Sequence, residues 1–108
     1  MENKVILRNE RDNDSLRYVE ARLDEDGDLV IEGQDLGSGV VQFPDAAEYE
    51  WIWMIKSADH GLLRQALGVE GDILAALKQQ FSGPNAAGLY VFLKQNEIPF
   101  EVYSRFGD

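Results

Sequence analysis

The chain has no cysteine, one histidine and three prolines among its 108 residues. Without cysteine there is no disulfide scaffold, no Cys zinc site, no iron–sulfur cluster and no thiol catalysis. The single histidine, His60, excludes a multi-histidine metal site within one chain. No apolar run approaches the length of about 20 residues that spans a bilayer. Met1-Glu2-Asn3-Lys4 lacks a basic-then-apolar export signal, so the expected location is cytoplasmic. What is present, 44% apolar and 28% charged residues, is the composition of one globular domain over residues 1–108.

Positive charge is also scarce. Ten Lys and Arg face twenty Asp and Glu, for a net charge of −10. The deficit is concentrated: between Leu23 and Ile55 there is no base, and the acids are Asp24, Glu25, Asp26, Asp28, Glu32, Asp35, Asp45, Glu48 and Glu50. Such a surface repels phosphate backbones and anionic lipid headgroups, so nucleic acid and membrane are not expected partners. It attracts basic proteins and speeds encounter with them; the competing reading is that the charge serves solubility alone.

Periodicity separates strands from helices. Val5-Ile6-Leu7 reads as a short edge strand, and Asn9 to Ser15 as a loop. From Leu16 to Leu23 the residues alternate, with Val19, Ala21 and Leu23 on one face and Tyr18, Glu20 and Arg22 on the other. Asp26-Gly27 predicts a two-residue hairpin turn leading into Leu29-Val30-Ile31. Gly33 to Pro44 reads as a long loop. Glu48 to Lys56 reads as an interior strand with Tyr49, Trp51, Trp53 and Ile55 on one side. Helical spacing follows at Leu62, Leu63, Ala66 and Leu67, ending at Gly68. A second stripe is Ile73, Leu74, Leu77 and Phe81; a third is Ala86, Leu89, Tyr90 and Leu93. Phe100 to Phe106 is a last strand. The expected fold is α+β: an antiparallel sheet of about four strands with about three helices on one face.

Each chemical motif meets a plainer competitor. Asp24, Asp26 and Asp28 have the spacing of oxygen ligands, but Gly27 and Glu32 are misplaced for a calcium loop, so no metal is expected. Gly37-Ser38-Gly39 does not lead into a helix N-terminus and lacks a phosphate anchor. Asp59 and His60 are helix neighbours whose side chains diverge, so the pair reads as a cap with a surface histidine, and no catalytic residue or cofactor is assigned. Tyr49, Trp51 and Trp53 read as core under helices or, alternatively, as the lining of a ligand groove.

Three stretches carry a resemblance: Asp26-Gly27-Asp28-Leu29-Val30-Ile31 with Gly33-Gln34-Asp35-Leu36-Gly37; Tyr49-Glu50-Trp51; and Ile98-Pro99-Phe100-Glu101 with Tyr103-Ser104-Arg105-Phe106-Gly107-Asp108. Together they resemble a family of small, acidic, uncharacterised bacterial proteins, which supplies no catalytic residues. In size and charge the chain is also similar, more loosely, to immunity-type proteins that neutralise secreted toxins. The resulting expectation is a non-enzymatic binding protein, an immunity-type inhibitor of a basic toxin, with Asp24, Asp26, Asp28, Asp35, Glu48 and Glu50 as partner contacts. The alternative is a small-molecule binder or small enzyme with a pocket lined by Tyr49, Trp51 and Trp53.

Overall fold

The computed structural model describes residues 3–11, 15–37 and 48–106. Five strands form one antiparallel sheet in sequence order: β1 (Lys4–Arg11), β2 (Ser15–Leu23), β3 (Leu29–Gly37), β4 (Glu48–Ile55) and β5 (Glu101–Phe106). Three helices, α1 (His60–Leu67), α2 (Ile73–Gln80) and α3 (Leu89–Gln95), lie between β4 and β5 in the chain. β5 then returns beside β4, so the helical excursion leaves the sheet continuous. This is the expected α+β architecture, with five strands where about four were expected.

The extra length comes from two places. β1 runs through Arg11, so only 12–14 separate it from β2 rather than the whole of Asn9 to Ser15. β3 continues through Gly37, so Gly33 to Gly37 is strand and not loop. Polar and glycine-rich composition misleads here because cross-strand hydrogen bonds to β2 and β4 override weak local propensity. Asp45, Ser38, Gly39 and Pro44 lie outside the described residues.

Alternation assigns the faces. Val5, Leu7, Val19, Ala21, Leu29, Ile31, Trp53 and Ile55 are buried on the side that meets the helices. The helices answer with Leu63, Leu67, Ile73, Leu74, Leu77, Leu89 and Leu93. Each such aliphatic side chain contributes on the order of 1.5–3 kcal/mol by leaving water. β1 contains a bulge between Ile6 and Arg8, after which Arg8 pairs with Val19. Leu7 is the extra residue, and it is buried in the core with Val5, two residues before it.

Helix boundaries follow local chemistry. Asp72 caps α2, its Oδ1 accepting from the N–H groups of Leu74 (2.9 Å) and Ala75. Gly68 ends α1 in the left-handed region at φ 75°, which glycine adopts without a Cβ penalty. Two corrections concern the other ends. A 3-10 turn at Ser57–Asp59 precedes α1, with no side-chain cap from Ser57 or Asp59, and a second at Gly83–Gly88 precedes α3. Ala86 therefore lies on that 3-10 turn, and Tyr90 is 42% exposed rather than buried with Leu89 and Leu93.

Candidate functional site

The hairpin between β2 and β3 closes on Asp24 and Asp28, with the three residues Glu25, Asp26 and Gly27 between them, one more than the Asp26-Gly27 pattern predicts. Asp24 N–H donates to the Asp28 carbonyl at 3.0 Å, and Gly27 N–H returns to the Asp24 carbonyl at 3.1 Å. Gly27 sits at φ 81°, as the last residue of such a loop requires. Asp24 also organises the turn through its side chain. Its Oδ1 accepts from the N–H of Asp26 (2.9 Å) and of Asp28 (3.0 Å).

Asp28 is drawn away from solvent. Its Oδ1 accepts from the Ser57 N–H at 2.8 Å, and its Oδ2 lies 3.8 Å from Lys56 Nζ. It thereby caps the 3-10 turn that neither Ser57 nor Asp59 caps. One carboxylate oxygen from each of Asp24, Asp26 and Asp28 lies within 4.8 Å of the other two. Backbone donors hold two of the three carboxylates in place, whereas Glu25 and Asp26 are exposed.

The remaining candidate contacts stand at the other end of the sheet. Asp35 pairs in register with Tyr49, Glu48 with Leu36, and Glu50 with Gln34 and Arg105. Asp35 lies seven residues beyond Asp28 along an extended strand, roughly 23 Å at about 3.3 Å per residue. Glu50 lies on the opposite face of β4 from buried Trp53 and Ile55. The structure therefore brings Asp24, Asp26 and Asp28 together and leaves Asp35, Glu48 and Glu50 apart from them. The side chains of Asp35, Glu48 and Tyr49 lie outside the described atoms. Glu25 is the exposed acid that the motif reading passed over; its place at the tip of the loop is the signal.

The open side is a mixed surface. Arg22 donates to Glu20 and Glu32, both at 2.9 Å, and Lys4 lies 3.9 Å from Glu20. Burial opposes the Arg22 charge, but the bonds to Glu32 and Glu20 outweigh it and hold its pKa above the ordinary value. Glu32, one of the nine clustered acids, is thus partnered by a base from β2. Lys56 also reaches Glu101 at 3.6 Å, and Tyr103 donates to Glu101 at 3.1 Å.

Trp53 is buried and stacks on Trp51 with ring centroids 4.2 Å apart. Tyr90 and Phe100 approach Trp53 at 5.4 and 5.9 Å. Trp51 lies across Gly33: a Cβ there would fall 1.9 Å from the indole. Gly33 is thus the recess that receives the ring, and the tryptophans fill space against each other. A separate groove of about 380 Å³ is lined by Asn3, Val5, Leu23, Asp72, Leu74, Ala75 and Lys78. It contains none of the three candidate aromatics.

His60 is buried, at 7% exposure, contrary to the expected surface position. Its Nε2 lies 3.2 Å from the Ile55 carbonyl, to which it donates across the β4–α1 junction. The ring is held inward by that bond to the last residue of β4.

No protein-family model, curated protein or solved structure matches the chain. Among the described residues, no helix is long and apolar enough to cross a membrane.

Proposed function

We propose that this is a non-enzymatic interaction protein that engages a basic partner, in the manner of an immunity-type inhibitor of a basic toxin. The reading rests on the β2–β3 tip. The exposed acids Glu25 and Asp26, with Asp24 beside them, concentrate negative potential on a turn that its own hydrogen bonds hold in place, while Lys56 offsets the charge of buried Asp28. A Lys or Arg side chain from a partner relieves the mutual repulsion of these acids. A preordered tip loses little conformational freedom on binding. Glu50 and Glu48, at the far end, would add steering rather than contacts to the same basic group.

The test is binding to a panel of basic bacterial nuclease toxins, followed by surface plasmon resonance at increasing salt. The reading expects at least one binder whose association rate falls as salt rises and falls again in Glu25→Lys/Asp26→Lys. Failure of every toxin to bind, or binding indifferent to the double reversal, overturns it.

A second reading, a small-molecule site at the aromatic cluster, draws support from the partial exposure of Trp51 and Tyr90. Saturable change in tryptophan fluorescence with a metabolite library would favour it; no response would remove it.

A further inference from the structure

The two edges of the sheet are unlike. β1 carries a bulge at Leu7 and the charged residues Lys4, Arg8, Glu10 and Arg11, devices that discourage a further strand. β5 carries neither. Its register with β4 is unbroken from Tyr49–Phe106 to Met54–Glu101. Among the described residues no strand pairs with its outer side. Val102 and Tyr103 are 53% and 51% exposed, one on each face of the sheet. The edge strand most open to pairing is therefore β5, not the Val5–Leu7 segment.

We propose that β5 is a homodimer interface, in which a second copy of this chain adds its own β5 antiparallel across a two-fold axis at Tyr103. Backbone donors and acceptors alternate along the free side of a strand. A strand pairing antiparallel with its own copy must therefore centre on a residue, because only then do the outward-pointing groups of both copies meet. Centring on Val102 places Glu101 against Tyr103, and centring on Ser104 places Arg105 against Tyr103. Centring on Tyr103 places Glu101 of each copy opposite Arg105 of the other, twice, and pairs the two Tyr103 residues at the axis. Opposite charges and aromatic pairs directly across strands are stabilising. This is the self-complementary pattern that a two-fold interface demands.

The local charge permits it. From Lys94 to Arg105 the chain holds two bases, Lys94 and Arg105, and two acids, Glu97 and Glu101. The edge is thus neutral in a molecule of net charge −10. On the helix-covered side, Val102 and Tyr90, whose ring meets Phe100 at 5.8 Å, supply apolar surface for the neighbouring copy to cover.

The experiment is sedimentation of the full chain and of Glu101→Arg and Arg105→Glu, separately and mixed, with circular dichroism to verify folding. The native chain should be dimeric. Each single variant sets like charges opposite each other at both contacts and should dimerise about tenfold more weakly or less. An equimolar mixture of the two restores both opposite-charge pairs and should recover dimer as a heterodimer. Val102→Lys, at a half-exposed position, should weaken the dimer without altering either charged residue. A native chain that stays monomeric at high concentration, single variants that associate as well as the native chain, or a mixture no better than its components would overturn the proposal.

Discussion

Asp28 accepts a hydrogen bond from the backbone N–H of Ser57, 29 residues later in the chain, at 2.8 Å. The bond ties the acidic hairpin to the start of the helical layer. It converts one of the candidate partner contacts into a structural cap, and Lys56 beside it offsets its charge.

Asp28→Ala should therefore lower stability by about 1–3 kcal/mol, since it strands the Ser57 N–H and removes the Lys56 partner. Glu25→Ala, on the exposed tip, should change stability by less than about 0.5 kcal/mol. Urea denaturation of both variants measures the contrast. Equal effects would show that the cap contributes nothing special.

Gly33→Ala should destabilise by about 1–3 kcal/mol, because its methyl enters the indole of Trp51. Tryptophan emission should shift as the ring is displaced from its stack on Trp53. In a Trp51→Leu background the same substitution should cost less, since the obstacle is gone.

Register places Glu20 directly opposite Glu32, and Arg22 bonds both. Arg22→Met should cost about 1 kcal/mol through the repulsion it uncovers. Adding Glu32→Gln should recover part of that loss in a thermal melt.

Burial, the hydrogen bond to Glu20 and the charges of Glu20 and Glu32 raise the Tyr18 phenol above the ordinary tyrosine range. The folded protein therefore holds this proton more tightly than the unfolded chain does. The associated stability is complete below about pH 10 and is lost as pH rises through the raised value. Tyrosinate absorbance should show one phenol titrating late for this reason, and Tyr18→Phe should remove it. Tyr103 should also titrate late, because its hydrogen bond to Glu101 and that residue's charge favour the neutral phenol.

The strands and their faces were readable where side chains alternate. Val19, Ala21 and Leu23 against Tyr18, Glu20 and Arg22 predict β2 and its orientation, and β2 has both. Gly68 announced the end of α1 through chemistry confined to one turn. β3 beyond Ile31 was not readable, because Gly33 to Gly37 has little strand propensity and is held by its neighbours on both sides. His60 was misplaced for a similar reason: its partner is a carbonyl of β4, which no pattern within the helix reveals.

The same division applies to the candidate site. Composition and order alone determined that the negative charge is concentrated between Leu23 and Ile55, that strands precede helices and that aromatic rings share one face of β4. Tertiary structure decided which acids remain available. Asp24 and Asp28 look like Asp26 in the sequence, but turn amides and the Ser57 amide engage the first two and leave the third exposed. It also decided that strand direction separates Asp35, Glu48 and Glu50 from the hairpin tip. The reason is geometric: a residue's neighbours along the chain set its propensity and its face, whereas its hydrogen-bond partners and its distance from other charges are set by segments that meet only when the sheet and helices pack.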